Sequence, residues 1–381
     1  MGYLPTRFPV LSETFVRLEV EELRRQGVQV EVVALFADDD PADDVTYLFR
    51  QGRSKRVLLQ EHLRWFARSP RRYLAFRKVV REAGRERGEV LARHLPWAAT
   101  HLRRAGVQVL HAHFAWSSAT RAWALSELMG VPWSMTIHAH DMFASPYRLP
   151  EKLHAADAVV TVCAYNEEHL RSDWAYTGPV DLVVCGVQVP DTVPPRRDDL
   201  DVLAVGRLVE KKGFDVLVAA VALLDRPQLR VRLVGSGRER EALAAAVERA
   251  GLGGSLTLVG ALPHEETLDL MSSARVFCLP ARVARDGDRD SMPLVVKEAM
   301  ARQVAVVATR EVGIPEMLDE SCGWLVPPDD AQALAAALAA ALDDEREAGR
   351  RAASGRRRVE QQFRLEDEVA KLIGVFRRLA G

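Results

Sequence analysis

No run of about 18 apolar residues occurs in this chain of 381 residues, so no segment is expected to cross a bilayer as a helix. Cysteine is scarce: Cys163, Cys185, Cys278 and Cys322 lie far apart with no CxxC pair. That excludes a disulfide scaffold and a cysteine zinc ribbon. An excess of charge of one sign is also missing, with 52 Lys and Arg against 53 Asp and Glu. A dedicated nucleic-acid binder would be strongly basic, so no nucleic-acid partner is expected. The start, Met1-Gly-Tyr-Leu-Pro-Thr-Arg7, lacks the charged and apolar regions of a signal peptide. The thiols are expected to be reduced and the location cytoplasmic.

What is present is an ordinary globular composition, 48% hydrophobic and 28% charged, long enough for two domains. Short runs rich in Val, Ile and Leu alternate with amphipathic stretches of ten to fifteen residues, the pattern of βαβ units and parallel sheets. Strands are predicted over 28–36, 107–110, 133–137, 158–162 and 180–184. The Pro-rich, charged segment 188–200 reads as a linker. A second series follows, with strands over 201–205, 229–234, 255–259, 276–280 and 304–308. Its helices are predicted over 213–225, 238–250, 263–272, 293–302 and 330–342, with a last basic helix over 356–379. The implied domains are 1–190, 191–355 and a C-terminal helix 356–381 packing back on the first. Two doubly wound domains would leave a ligand cleft at the carboxyl ends of their strands. Charge is unevenly spread: 50–104 holds 16 Lys or Arg and four Glu. This helical stretch reads either as a solvated insertion with Trp65, Phe66, Tyr73, Phe76 and Trp97 in the core, or as a surface for anionic lipid or a phosphate-bearing acceptor.

Three places could carry chemistry. In Gly206-Arg207-Leu208-Val209-Glu210-Lys211-Lys212-Gly213 a strand runs through a charged loop into a helix. Arg207 and Lys212 could there meet above the sheet, exposed, and neutralise a diphosphate leaving group; a solvated turn is the plain alternative. Gly235-Ser236-Gly237 is only a fragment of the dinucleotide fingerprint, because Arg240 stands where the third glycine would be. It still sets backbone amides at a helix start. In Asp290-Ser-Met-Pro-Leu-Val-Val-Lys-Glu298, Pro293 fits a first helical turn. Glu298 falls within an otherwise apolar helix, where a carboxylate needs a partner such as ribose hydroxyls or a nearby Lys or Arg.

Taken in order, these motifs resemble the retaining GT-B glycosyltransferases of group 1. Asp290-x7-Glu298 stands where that family has Glu-x7-Glu, and Gly206 to Gly213 matches its Gly-Arg-x4-Lys-Gly loop. Val259-Gly260 with Pro263-His264, and Gly313-Ile-Pro-Glu316, follow in the family's order. The first half resembles the colanic-acid and exopolysaccharide branch in Arg7 to Phe15, His111-Ala-His-Phe114 and Thr136-Ile-His-Ala-His-Asp141. The resemblance implies two Rossmann-like domains facing a cleft, and retaining, metal-independent transfer of a sugar from a nucleotide-sugar donor. UDP is favoured over GDP, and the acceptor is a carbohydrate, lipid-linked or small-molecule hydroxyl. It also implies roles. Arg207 and Lys212 hold the diphosphate, and Gly206, Gly235 and Gly237 line the donor pocket. Glu298 binds the ribose, and the base lies near Gly260 to His264. Asp290 and the amides of Ser291, Met292, Pro293 and Leu294 are placed at the sugar and phosphates (a proline has no N–H, so Pro293 lends only its position). His138 approaches the sugar from the first domain. No metal and no cofactor beyond the donor are implied. The stretch 50–104 is expected to touch an anionic membrane at its inner face.

Other readings remain open. On the same fold, a nucleotide-sugar epimerase or an antibiotic-tailoring transferase would use the same donor pocket. His111, His113, His138 and His140 at strand ends could instead ligate a hydrolytic metal. Against that, only His264 follows position 169 as a further histidine ligand. An oxidoreductase would want the missing third glycine.

Overall fold

The structure, a computed structural model, describes residues 1–10, 13–37, 42–49, 54–86, 90, 92–195 and 199–381. Parts of the 7–15 motif, of the basic stretch and of the predicted linker therefore lie outside the described residues.

The chain forms two compact units, Met1–Val183 with Val369–Gly381, and Val184–Glu368. The first holds β1 (Gly2–Tyr3), β2 (Glu31–Ala34), β3 (Val45–Tyr47), β4 (Leu110–His113), β5 (Trp133–Ile137), β6 (Ala158–Thr161) and β7 (Val180–Leu182). They make one parallel sheet in the order β3-β2-β1-β4-β5-β6-β7. The second holds β8 (Leu200–Val205), β9 (Val231–Val234), β10 (Leu256–Gly260), β11 (Ala274–Leu279), β12 (Ala305–Thr309) and β13 (Trp324–Val326). Their parallel order is β10-β9-β8-β11-β12-β13. Both orders reverse direction beside the first strand, between β1 and β4 and between β8 and β11. Those are the points where doubly wound sheets open a crevice at their carboxyl ends.

Buried parallel strands explain why these segments read as continuous apolar runs rather than alternating ones. All of β5, β8 and β12 is buried. In the second unit the helices Phe214–Leu224 and Ala331–Asp343 cover the sheet. The latter is capped by Asp330, whose carboxylate accepts from the Ala333 amide at 2.8 Å, satisfying a donor that every helix start leaves open.

One expectation about organisation is corrected, that of a single C-terminal helix. The two compact units divide at 183/184. Residues 184–187 are pinned inside the second unit, with Val184 N–H on Glu368 at 2.9 Å and Val187 bonded both ways to Phe363 and Leu365. The single C-terminal helix is two, Glu345–Gln362 and Leu365–Ala380, and only residues from Val369 onward belong to the first unit. The described part of the basic stretch forms the helices Lys55–Arg68, capped by Ser54, Pro70–Glu82 and Leu95–Arg104, with a 3-10 turn at Gly84–Glu86. Trp65 and Phe76 are buried as expected, but Phe66 is exposed.

Candidate functional site

In the second unit the loops that leave the carboxyl ends of β8, β9 and β10 are laced together by backbone hydrogen bonds. Leu208 N–H donates to Ser236 O at 2.8 Å, Glu239 N–H to Leu208 O at 3.0 Å, and Gly235 N–H to Gly260 O at 2.8 Å. Such close passage requires glycine. Gly235 has φ of +143°, and a Cβ on it would lie 1.8 Å from the Gly206 carbonyl oxygen. Gly213, at φ of +64°, would put a Cβ 1.9 Å from the Pro280 oxygen. Side chains are thereby kept out of the crevice floor, which is what close approach of a bulky ligand to backbone needs.

A charged node lies beside these loops. Lys212 Nζ donates to Asp290 Oδ2 at 2.5 Å. Lys211 Nζ reaches Asp290 Oδ1 at 3.2 Å, Asp288 Oδ1 at 3.1 Å and the Arg289 carbonyl at 3.3 Å. Burial works against ionisation of Asp290, but the charges and hydrogen bonds of Lys212 and Lys211 outweigh it. Its carboxyl is held well below the usual carboxylate range. Lys212 was expected to be exposed; only 8% of it is, because its stem runs past Gly206 and its ammonium is enclosed by the Asp290 loop. Both oxygens of Asp290, the acid expected to face a sugar, are on lysines. Lys211 escaped the sequence reading although it sits next to Lys212, because a loop Lys-Lys gives no hint that both will be buried. Arg207 is exposed and makes no ion pair among the described residues.

Glu298 lies on the helix Leu294–Ala301 and is buried. Its partner is neither a lysine nor an arginine: His264 Nε2 meets Glu298 Oε1 at 2.7 Å. The structure thus joins two residues assigned separately, one to the ribose and one to the base. His264 Nδ1 is buried with no hydrogen-bond partner among the described residues. Ser291, Met292 and Pro293 are buried and Leu294 half-buried as the chain enters that helix. The Ser291 carbonyl accepts from Gly313 N–H at 2.9 Å, tying in the Gly313-Ile-Pro-Glu316 motif.

His138 belongs to the first unit, just beyond β5. Its backbone N–H donates to Asp141 at 2.9 Å, and its ring packs on Phe114 and Phe15 at centroid distances of 4.5 and 5.1 Å. Asp141 is buried, which raises its carboxyl to about 6 despite hydrogen bonds from the His138 and Ala115 amides. The four-histidine ligand set does not converge. His140 is exposed at the start of a π-helical turn, His140–Ala144. The grouping that forms is Glu19, His111 and His113, with donor atoms all within 4.8 Å of one another. His111 is already engaged, Nδ1 by Ser134 at 2.8 Å and Nε2 by Thr136 at 3.2 Å. Burial, then the charges of His113 and His138, hold it neutral, well below its usual range. Nothing in the sequence linked Glu19 to this cluster, since it comes from a distant helix.

Residues 191–358 match the family Glycosyl transferases group 1, and residues 12–190 match Glycosyltransferase Family 4. The amylovoran biosynthesis glycosyltransferase AmsK of Erwinia amylovora is 34% identical over 184 residues, 48% of this chain and 45% of that one. The chain thus spans less than half of that relative. The putative colanic acid biosynthesis glycosyltransferase WcaL of Escherichia coli is 26% identical, covering 88% of each. Among solved structures, sucrose-phosphate synthase from Thermosynechococcus elongatus superposes with a TM-score of 0.75 at 22% identity, over 100% of this chain and 99% of that one. HepE of Anabaena, solved with UDP, gives 0.69 at 15%, over 99% and 100%. At these identities the likeness shows the fold.

Proposed function

The chain belongs to the group 1 glycosyltransferases, and on that premise we propose that it moves a sugar from a nucleotide-sugar donor, UDP favoured over GDP, to an acceptor hydroxyl, with retention and without a metal. The acceptor class is a carbohydrate, a lipid-linked sugar or a small molecule, and the setting is polysaccharide or glycoconjugate synthesis. The names of AmsK and WcaL support that setting, and the UDP bound to HepE supports the base.

The observation that carries the reading is the node of Lys211, Lys212 and Asp290 beside glycine-lined loops at the carboxyl ends of β8, β9 and β10. In transfer, the bond between the anomeric carbon and the diphosphate oxygen breaks while a bond to the acceptor oxygen forms on the same face. The acceptor's proton goes to the departing phosphate. Such a step asks the protein for placed positive charge more than for a nucleophile. Lys212 supplies it from a fixed position, because Asp290 and the loop hold its ammonium, and Arg207 adds a second cation from solvent. Glu298, aligned by His264, accepts from ribose hydroxyls. With two cations available, a divalent ion has no required part. The test is a panel of UDP- and GDP-sugars with candidate acceptors in excess EDTA, read by NMR of the anomeric proton. A glycoside with the donor's configuration is expected; only free sugar or an epimerised donor would overturn the reading.

A second reading concerns where the acceptor is met. Leu59, Leu63 and Phe66, at i, i+4 and i+7, form an exposed stripe on the helix Lys55–Arg68, and Leu74 is exposed on the next helix. Between 55 and 82 there are nine Lys or Arg and two Glu. Exposed apolar side chains among cations suit an anionic bilayer surface. Binding to phosphatidylglycerol vesicles is expected at low salt, weakening as salt screens the charges and lost in Phe66→Ser/Arg68→Glu/Arg71→Glu. Wild type that ignores such vesicles at low salt would mean a soluble acceptor.

A further inference from the structure

A pocket of about 200 Å³ opens in the first unit, where the helices Lys55–Arg68, Pro70–Glu82 and Leu95–Arg104 meet the end of the helix Ser117–Met129. Among the described residues three arginines line it, Arg68, Arg72 and Arg103, and no acid does. The volume suits a small polyatomic ion with a few waters and falls short of the roughly 300–1,000 Å³ of drug-sized ligand sites. Trp65 forms a fixed wall, because its indole N–H donates to Pro96 O at 2.9 Å and to Thr100 Oγ1 at 3.0 Å. The Arg103 guanidinium lies over that ring, 4.9 Å from its centroid. It makes no ion pair among the described residues, and its Nη1 is enclosed with no hydrogen-bond partner there. Arg72 gives Nη1 to the Met129 carbonyl at 2.7 Å, and its other nitrogens have no partner among the described residues. Arg68 is exposed and likewise unpaired among them.

A cation in the last turn of a helix is favoured by the carbonyls there, which accounts for Arg68 and Arg103 one at a time. Together they oppose one another. Burial, then the charges of Arg68, Arg104 and Arg64, push Arg103 below the usual guanidinium range, while Glu61 pulls the other way. That acid is already committed, to Arg64 at 2.7 Å and to the Thr100 hydroxyl at 2.6 Å. A guanidinium does not shed its proton, so the repulsion stands until an anion enters. A phosphate monoester brings a charge of about −1.5 to −2 and three acceptor oxygens, more than a carboxylate offers. Planar guanidinium forks match those oxygens. We propose that this pocket binds a terminal phosphate group, held by Arg68, Arg72 and Arg103 beside the Trp65 ring. Neither the donor chemistry of the second unit nor a bilayer contact through the apolar stripe is needed for it. Phe66 and Leu74, both exposed, stand close in sequence to the lining residues, so the carrier of the phosphate is an acidic lipid or a small soluble ester.

The test is a titration of the full chain with inorganic phosphate at low salt, read by nitrogen-15 NMR at the Trp65 indole N–H and assigned with Trp65→Phe. A shift that saturates at about millimolar phosphate is expected, with none from chloride at equal ionic strength. Arg103→Gln and Arg68→Gln should each raise the phosphate required by roughly tenfold or more, the weight of a charge-assisted hydrogen bond. Phosphate that acts only as chloride does, or saturation unchanged by these substitutions, would overturn the site. If Arg103→Gln fails to fold, Arg68→Gln, at an exposed position, decides. Vesicles then identify the carrier. Tighter binding to phosphatidic acid than to phosphatidylglycerol at matched surface charge, with the difference lost in Arg68→Gln, assigns the phosphate to a lipid. Equal binding to both, with the phosphate shift intact, assigns it to a soluble ester.

Discussion

Replacing Lys212 by alanine is expected to slow transfer on the order of a hundredfold and also to lower the melting temperature. The first effect is the loss of one fixed cation at the diphosphate, worth about 3 kcal/mol at the transition state. The second comes from Asp290, which is left with Lys211 alone at 3.2 Å for its enclosed charge. A charged hydrogen bond is worth about 1.5–3 kcal/mol, enough to move the transition by several degrees in a protein of this size. Arg207→Ala makes the control. Being exposed with no ion pair among the described residues, it should cost a similar factor in rate and leave the melting temperature unchanged. Thermal melts alongside initial rates read both. A Lys212→Ala protein with normal turnover would take the lysine out of the mechanism.

The two acids should fail differently. Glu298→Gln keeps the shape of the side chain but loses charge-assisted bonds to ribose and to His264, 2.7 Å away. Affinity for the free nucleoside diphosphate should fall by roughly 10- to 150-fold. Asp290→Asn is expected to leave that affinity intact or to raise it, because Lys211 and Lys212 lose the anion that neutralises them. Turnover should nevertheless fall, since Lys212 is no longer held in place. Asp290→Glu, which keeps the charge and adds one methylene, should retain part of the activity. Calorimetry with UDP and a donor assay separate these outcomes. Equal loss of nucleotide binding in Asp290→Asn and Glu298→Gln would show that the acids share one role.

Of the thirteen strands among the described residues, ten were legible; β8 and β12, buried along their whole length, read as runs of Val, Leu and Ala, while β7 and β10 are only partly buried. The missed ones, β1, β3 and β13, are two or three residues long, which leaves little periodic signal. The C-terminal helix was read as one because no Gly or Pro marks a stop near Phe363 and Arg364; the break comes from their pairing with Val187, with Arg364 lying 177 residues further along the chain. The donor-site residues were legible as motifs, but their pairings were not. Which base meets which acid depends on loops that sequence spacing does not place, so Lys211 was passed over and His264 was not joined to Glu298. His111 and His113 share a strand face by their spacing of two. His140 lies beyond the end of β5, so of the four histidines His111, His113 and His138 group together and His140 stands apart, exposed.

The most direct measurement is a thermal-shift titration of the wild-type chain with UDP, GDP, ADP and TDP in excess EDTA, since a ligand that binds only the folded state raises its melting temperature. Stabilisation by UDP, weaker for GDP and shifted to much higher UDP concentration in Glu298→Gln, is the expected result. No shift with any nucleoside diphosphate, together with stabilisation by zinc once EDTA is removed, would contradict a nucleotide-sugar site in the second unit and return the Glu19, His111 and His113 cluster to the centre of the chemistry.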